Sequence, residues 1–121
     1  VKNDNIKIFG VTALTSLTDA DSSLIFKRNT SDQVKAMLDL AEEARIDGVV
    51  CSPHELHLVS RRKSLQAITP GIRIKKNVDD QARVMTPKEA IKNGADFIVI
   101  GRPITLAKNI NAALHEIHNS I

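Results

Sequence analysis

At 121 residues the chain has the size of one ordinary domain, long enough to bury roughly two-thirds of its unfolded surface around a single core. Hydrophobic residues at 42% and charged residues at 26% lie near globular averages, which excludes a disordered or fibrous chain. The three aromatic residues are all Phe, which excludes an aromatic platform for nucleobases, and the net charge of +3 is spread along the chain, a mild bias toward anions rather than a nucleic-acid stripe.

In chain order, four short apolar runs read as strands, at residues 6–14, 48–51, 65–69 and 97–100. They are continuous rather than alternating, the pattern of a parallel sheet buried on both faces by helices. Between the first two, Val34, Met37, Leu38, Ala41 and Ala44 recur at helical spacing, and Lys35, Asp39, Glu42 and Glu43 take the other face, so residues 31–45 are expected to form an amphipathic helix. Ser52-Pro53-His54-Glu55 and Thr86-Pro87-Lys88-Glu89 both fit a reciprocal capping box with Pro at the first helical position. Gly94 is expected to end the helix that Thr86 starts, and Thr105 to cap a last helix running through Ala113, Leu114 and Ile117. The polar stretches 18–23 and 75–80 read as surface loops.

Strand and helix thus alternate, and parallel strands joined by crossovers follow from that order. Four such units in about 115 residues are roughly 29 residues each, close to the ~31 of an eight-unit barrel of ~250 residues. A doubly wound domain is the competitor, but no Gly-rich fingerprint follows the first strand, where Gly10 stands alone. The expected fold class is α/β, about four βα units of a (β/α)₈ barrel, with residues 1–121 as one partial-barrel domain.

Ligands of parallel α/β sheets bind at the carboxyl ends of the strands. Of the segments there, Gly101-Arg102 before a helix start is the best outline of a phosphate site. Gly admits an anion close to the backbone, Arg offers a rigid fork of donors, and a helix start adds free N–H groups. A plain turn with a solvent-facing Arg is the competing reading, and Arg73 after Pro70-Gly71 is either a second anion contact or a loop charge. His54 with His57, and His115 with His118, stand three apart without a third ligand nearby, so no metal is expected. Cys51 reads as core rather than nucleophile, and Asp19, Asp21, Asp79 and Asp80 as solvated loop charges. Arg61-Arg62-Lys63 reads as a solvated helix end. The lone cysteine, with no secretory or membrane-spanning run, sets the expectation of a cytoplasmic protein with neither nucleic acid nor membrane as partner.

Five strand-end strings carry more than spacing. Val11-Thr12-Ala13-Leu14-Thr15-Ser16, Asp47-Gly48-Val49-Val50-Cys51-Ser52, Ile68-Thr69-Pro70-Gly71-Ile72-Arg73, Asp80-Gln81-Ala82-Arg83-Val84-Met85-Thr86-Pro87 and Gly101-Arg102-Pro103-Ile104-Thr105 occur in this order. Together they closely resemble the C-terminal half of the orotidine 5′-phosphate decarboxylase family. The resemblance implies a (β/α)₈ barrel, normally a homodimer, that converts orotidine monophosphate to uridine monophosphate without a cofactor in pyrimidine synthesis. By motif it implies that Thr15 and Ser16 line the pyrimidine and ribose end of the pocket. Arg73 and Gln81 correspond to the loop that folds over the nucleotide, and Gly101 with Arg102 to the phosphate site.

Two departures accompany the resemblance. Between Arg73 and Gln81 the chain lacks the Pro after Arg and the Gly before Asp-Gln that the family usually carries. The Asp-x-Lys-x-x-Asp motif, part of the Lys and Asp array that does the family's chemistry, is found nowhere in the 121 residues. No residue here is therefore assigned a catalytic role, and the chain by itself is expected not to decarboxylate orotidine monophosphate. Three readings follow: a family member that keeps the nucleotide rim alone, one chain of a split enzyme active with an N-terminal partner, or a self-associating half-barrel scaffold. The two outer strand edges and the apolar face between them predict a homo-oligomer or a complex with the complementary N-terminal half.

Overall fold

The computed structural model describes residues 6–13, 17–74 and 84–121. Four parallel strands form one sheet in the order β1 (Phe9–Val11), β2 (Gly48–Val50), β3 (Gln66–Thr69) and β4 (Phe97–Ile98). The pairing is Phe9 with Gly48, Gly48 with Gln66, and Ile68 with Phe97. Helices α1 (Asp19–Phe26) and α2 (Thr30–Glu43) connect β1 to β2. A 3₁₀ turn at Pro53–Glu55 leads into α3 (Leu56–Val59), α4 (Pro87–Lys92) precedes β4, and α5 (Arg102–Thr105) and α6 (Ile110–Ser120) end the chain. The α/β class and the strand order are those expected.

Side chains reinforce the pairing at both ends of the strands, beside backbone bonds that continue past them, such as Thr12 N–H to Val50 C=O at 3.1 Å. The Asp47 carboxylate accepts the Ile8 N–H at 2.8 Å, and the Asp96 carboxylate accepts the Ala67 N–H at 2.8 Å. Each Asp immediately precedes its own strand and caps the amino end of the neighbouring one, so the Ile46-Asp47 and Ala95-Asp96 steps are one device used twice. At the other end Thr12 Oγ1 donates to Val50 C=O at 3.1 Å, and the buried Thr69 Oγ1 donates to Cys51 C=O at 3.0 Å. Neither pattern was singled out from sequence; the repeated Asp before an apolar triplet is the signal that carries it.

Gly48 is required by crowding. A Cβ there would collide with the Gln66 backbone carbonyl and lie 2.6 Å from Cε1 of Phe9. Gly94 ends α4 as expected, at φ +98° and against Ser60. Both capping boxes form, with Ser52 and Glu55 and with Thr86 and Glu89 as reciprocal partners.

Three expectations are corrected. Residues 18–23 are not a loop: Thr18 and Asp21 make a third capping box, and α1 follows it. The helix has almost no apolar stripe, so periodicity alone did not reveal it. Thr105 does not cap the last helix but closes α5, and Asn109 caps α6 by accepting the Ala112 N–H at 3.0 Å. Arg62 is not a solvated helix end. It pairs with Asp39 at 2.6 Å and with Glu42, tying the segment after α3 to α2, while Ser64 and Arg62 together hold the Glu42 carboxyl below its ordinary range. Residues 75–80 lie outside the described residues.

The helices cover one face of the sheet. Val34, Leu38 and Ala41 of α2, Leu56 and Val59 of α3 and Ala90 of α4 pack with Val49, Cys51 and Ala67 into a continuous core. The other face is concave and open: Val11 is 56%, Phe97 44% and Val99 50% exposed. Burial on both faces, expected from the continuous apolar runs, is thus met on the helix side only. Across the hollow the Phe9 and Phe97 rings meet edge to face with centroids 6.1 Å apart. Three strand spacings in a flat sheet would hold β1 and β4 about 14 Å apart, so the sheet is strongly curled.

Candidate functional site at the strand carboxyl ends

All four strands point their carboxyl ends to one rim. Arg73 and Arg102 lie on it side by side in the topology, each four residues beyond a paired position, Thr69 on β3 and Ile98 on β4. Arg73 is anchored through its backbone: its N–H donates to Met85 C=O at 3.0 Å, beside a parallel bridge between Ile72 and Met85. This bridge pins the two ends of the segment in which the resemblance puts the nucleotide loop. Gln81, and likewise Thr15 and Ser16 beyond β1, lie outside the described residues.

Gly101 and Arg102 follow β4 as the first turn of α5. Apart from its chain neighbours, no atom of a described residue lies within 4 Å of where a Gly101 Cβ would sit. Arg102 is exposed and makes no salt bridge with a described residue. The helix start contributes less than expected. α5 is a single turn, Pro103 has no N–H, and the Ile104 and Thr105 amides both donate to Gly101 C=O at 2.9 and 3.1 Å. At this turn the Arg102 guanidinium is thus the charged donor, and a one-turn helix adds little dipole to it.

Beyond β2 the rim is closed by structure. Ser52 and Glu55 bond each other, and burial raises the Glu55 carboxyl while the Ser52 N–H partly opposes the shift. Cys51 is 1% exposed; burial, with a contribution from Glu55, pushes its thiol up to about 12, far from a nucleophile's range. Alkylation of Cys51 by iodoacetamide at pH 8 is expected to be negligible in the folded chain and complete in urea. Rapid labelling in native buffer contradicts the buried assignment. His57 Nδ1 sits 2.8 Å from His54 C=O, and among the described residues no three His, Cys, Asp or Glu side chains group as a metal site. Nor is any helix among them long and apolar enough to cross a membrane. Asp19 and Asp21, expected as loop charges, belong to α1: Asp21 caps it, and Asp19 accepts the Thr30 N–H at 3.0 Å, joining α1 to α2. Asp79 and Asp80 lie outside the described residues.

A curled sheet of four parallel strands with helices on its outer face defines a half-barrel of the (β/α)₈ class. The comparisons with known proteins agree with that class. The profile described as "Orotidine 5'-phosphate decarboxylase / HUMPS family" matches residues 1–117, and the chain belongs to this family. An orotidine 5'-phosphate decarboxylase from Wolbachia pipientis subsp. Culex pipiens is 47% identical over 112 residues, 90% of this chain and 50% of that protein. One from Prochlorococcus marinus is 45% identical over 119 residues, 94% and 49% of the two chains. Among solved structures, orotidine 5'-phosphate decarboxylase from Lactobacillus acidophilus superposes with a TM-score of 0.75 at 34% identity, covering 94% of this chain and 48% of its own. The chain spans about half the length of the curated relatives it matches.

Proposed function

We propose that this chain supplies the phosphate and nucleotide rim of an orotidine 5′-phosphate decarboxylase in pyrimidine synthesis, and that by itself it binds a pyrimidine nucleotide monophosphate without decarboxylating it. The observation that carries the reading is the exposed Arg102, which makes no salt bridge with a described residue, beside Gly101, which no other described residue crowds, at the carboxyl end of β4. Arg73, held at its backbone by Met85, stands at the end of the adjacent strand as the second cation. Thr15, Ser16 and Gln81 complete the rim on the strength of the family motif.

Loss of carbon dioxide from the pyrimidine C6 leaves a carbanion, which needs a positive charge to stabilise it and a proton donor to quench it. Arg73 and Arg102 are assigned to the phosphate end, and the Asp-x-Lys-x-x-Asp motif is absent from the 121 residues, so the reacting charges come from outside this sequence. No cofactor enters the proposal, residues 1–121 act as one partial-barrel domain, and the compartment is the cytoplasm. A split enzyme completed by an N-terminal half is the second reading, prompted by rim motifs that stand without the Asp-x-Lys-x-x-Asp motif in the 121 residues.

Calorimetric titration with uridine monophosphate tests the binding claim. Saturable heat is expected, and Arg102→Ala is expected to weaken it by about tenfold to a hundredfold, the loss of charge-assisted bonds to phosphate. Absence of heat at millimolar ligand, or equal binding by the variant, refutes the assignment.

A further inference from the structure

We propose that the Asn93-Gly94 step at the end of α4 is a deamidation site that the fold holds shut, and that its modification records each opening of this helix end covalently. Of the asparagines in the chain only Asn93 is followed by glycine, the neighbour that leaves the next backbone nitrogen freest to attack the side-chain amide. The step balances with water as its only co-reactant. The Gly94 nitrogen loses its proton to solvent base and bonds to Cγ of Asn93, the Cγ–Nδ2 bond breaks, and ammonia leaves with a proton returned by solvent. Water then opens the five-membered imide at either carbonyl and leaves aspartate or isoaspartate at position 93. Glycine at position 94 is itself demanded by the fold: its φ is +98°, and a Cβ would lie 2.8 Å from Cβ of Ser60. The labile pair is therefore built into the helix stop.

The native geometry opposes the reaction at both reacting atoms. Gly94 N–H donates to Ile91 C=O at 3.0 Å and Ala95 N–H to Ala90 C=O at 3.0 Å, the two bonds of a Schellman stop, so the attacking nitrogen is committed to the helix end. Asn93 Nδ2 donates to Glu89 C=O at 2.7 Å and lies 3.6 Å from Sδ of Met85, which fixes the side-chain amide. At the Asn93 ψ of 4° the Gly94 nitrogen eclipses the Asn93 nitrogen, whereas the imide ring needs it eclipsed with Cβ. Attack thus waits for the helix end to open, and α4 has only the six residues Pro87–Lys92 to hold it closed. Asn93 is exposed, so solvent base and water reach the step as soon as it opens. Neither product lets the end close as before. An aspartate has no proton to give the Glu89 carbonyl and sets a negative charge at the negative end of the helix. An isoaspartate adds a carbon to the backbone before Gly94, so both Schellman bonds lose register. Asp96, two residues further on, accepts the Ala67 N–H at 2.8 Å, and the change therefore reaches the junction of β3 and β4.

The test is incubation of the 121-residue chain in neutral buffer, with and without urea, followed by peptide mapping with mass spectrometry, which reads the exchange of amide for acid at each asparagine. In urea Asn93 is expected to react ahead of every other asparagine, and in native buffer about tenfold or more slowly than in urea. Thr86→Ala keeps the Asn93-Gly94 step and removes the cap at the other end of α4. It is expected to speed the native reaction about fivefold with the circular dichroism of the fold retained. Asn93→Asp, which installs one product directly, is expected to unfold at lower urea than the parent chain and tests the closing of the helix end without any wait for the chemistry. Equal rates in native buffer and urea overturn the proposal, as does another asparagine reacting first in urea. A folded Thr86→Ala chain that reacts no faster than the parent overturns it too, and so does an Asn93→Asp chain as stable as the parent.

Discussion

Orotidine monophosphate is expected to be turned over at no detectable rate by the 121-residue chain alone, and turnover is expected to appear when the complementary half of a relative's barrel is supplied. The assay follows the loss of the substrate's ultraviolet absorbance, with the chain, the added half and their mixture as three arms. The effect is large for a physical reason. Enzymes accelerate reactions by on the order of 10⁶-fold or more, mostly through charges and dipoles held ready where the transition state develops charge. A rim that holds phosphate contributes binding to substrate and transition state alike, and uniform binding does not lower the chemical barrier. Activity of the chain alone contradicts the assignment of the reacting charges to residues outside it. Inactivity of the mixture, with the two halves shown to associate, removes the split-enzyme reading.

The second large effect concerns folding. Gly48→Ala is expected to destabilise the chain by about 3 kcal/mol, a large share of the ~5–15 kcal/mol of a typical domain. The added methyl meets the Gln66 carbonyl, and this oxygen belongs to the β2 and β3 ladder and cannot step aside without breaking register. The Phe9 ring at 2.6 Å is the softer obstacle. Pairing Gly48→Ala with Phe9→Leu is therefore expected to recover little of the loss. Gly10→Ala serves as the contrast: among the described residues its Cβ would meet only Cδ1 of Ile46, at 2.9 Å, the tip of a side chain that can rotate away, so a cost of about 1 kcal/mol is expected. Urea unfolding of the four variants checks the order. Full recovery by Phe9→Leu assigns the crowding to the ring instead of the backbone.

Glu55 and Glu42 show that identical side chains acquire opposite electrostatic roles from their surroundings. Burial raises Glu55, so its contribution favours the fold at low pH and is lost as pH rises through its folded value. Ser64 and Arg62 lower Glu42, whose contribution is present above the ordinary carboxylate range and is lost as pH falls through its folded value. Thr30 lowers Asp19 and Thr18 lowers Asp21 in the same sense as Glu42. Glu42 and Asp19 tie α2 and α1 to a neighbouring segment, whereas Asp21 closes the cap of its own helix.

What the sequence by itself determined are the features carried by a few adjacent residues. The Ser52 and Thr86 caps, the Gly94 stop, the apolar stripe of α2 and the parallel strand order all follow from local chemistry or short periodicity, and the structure contains each. The five strand-end strings likewise led to the family whose profile matches residues 1–117. The tertiary structure decided what depends on partners distant in the chain. Asp47, Asp96, Thr12 and Thr69 bond neighbouring strands at the ends of the sheet, which an apolar run cannot announce. α1 formed from a polar stretch because its cap and its Asp19 contact to α2 outweigh weak amphipathicity. The helix start behind Arg102 lost its free amides because Gly101 C=O took two of them within one turn. Above all, the same continuous apolar strands that read as buried on both faces are covered on one. Hydrophobicity reports that a face must be covered, whereas what covers it is a matter of which strands close the sheet.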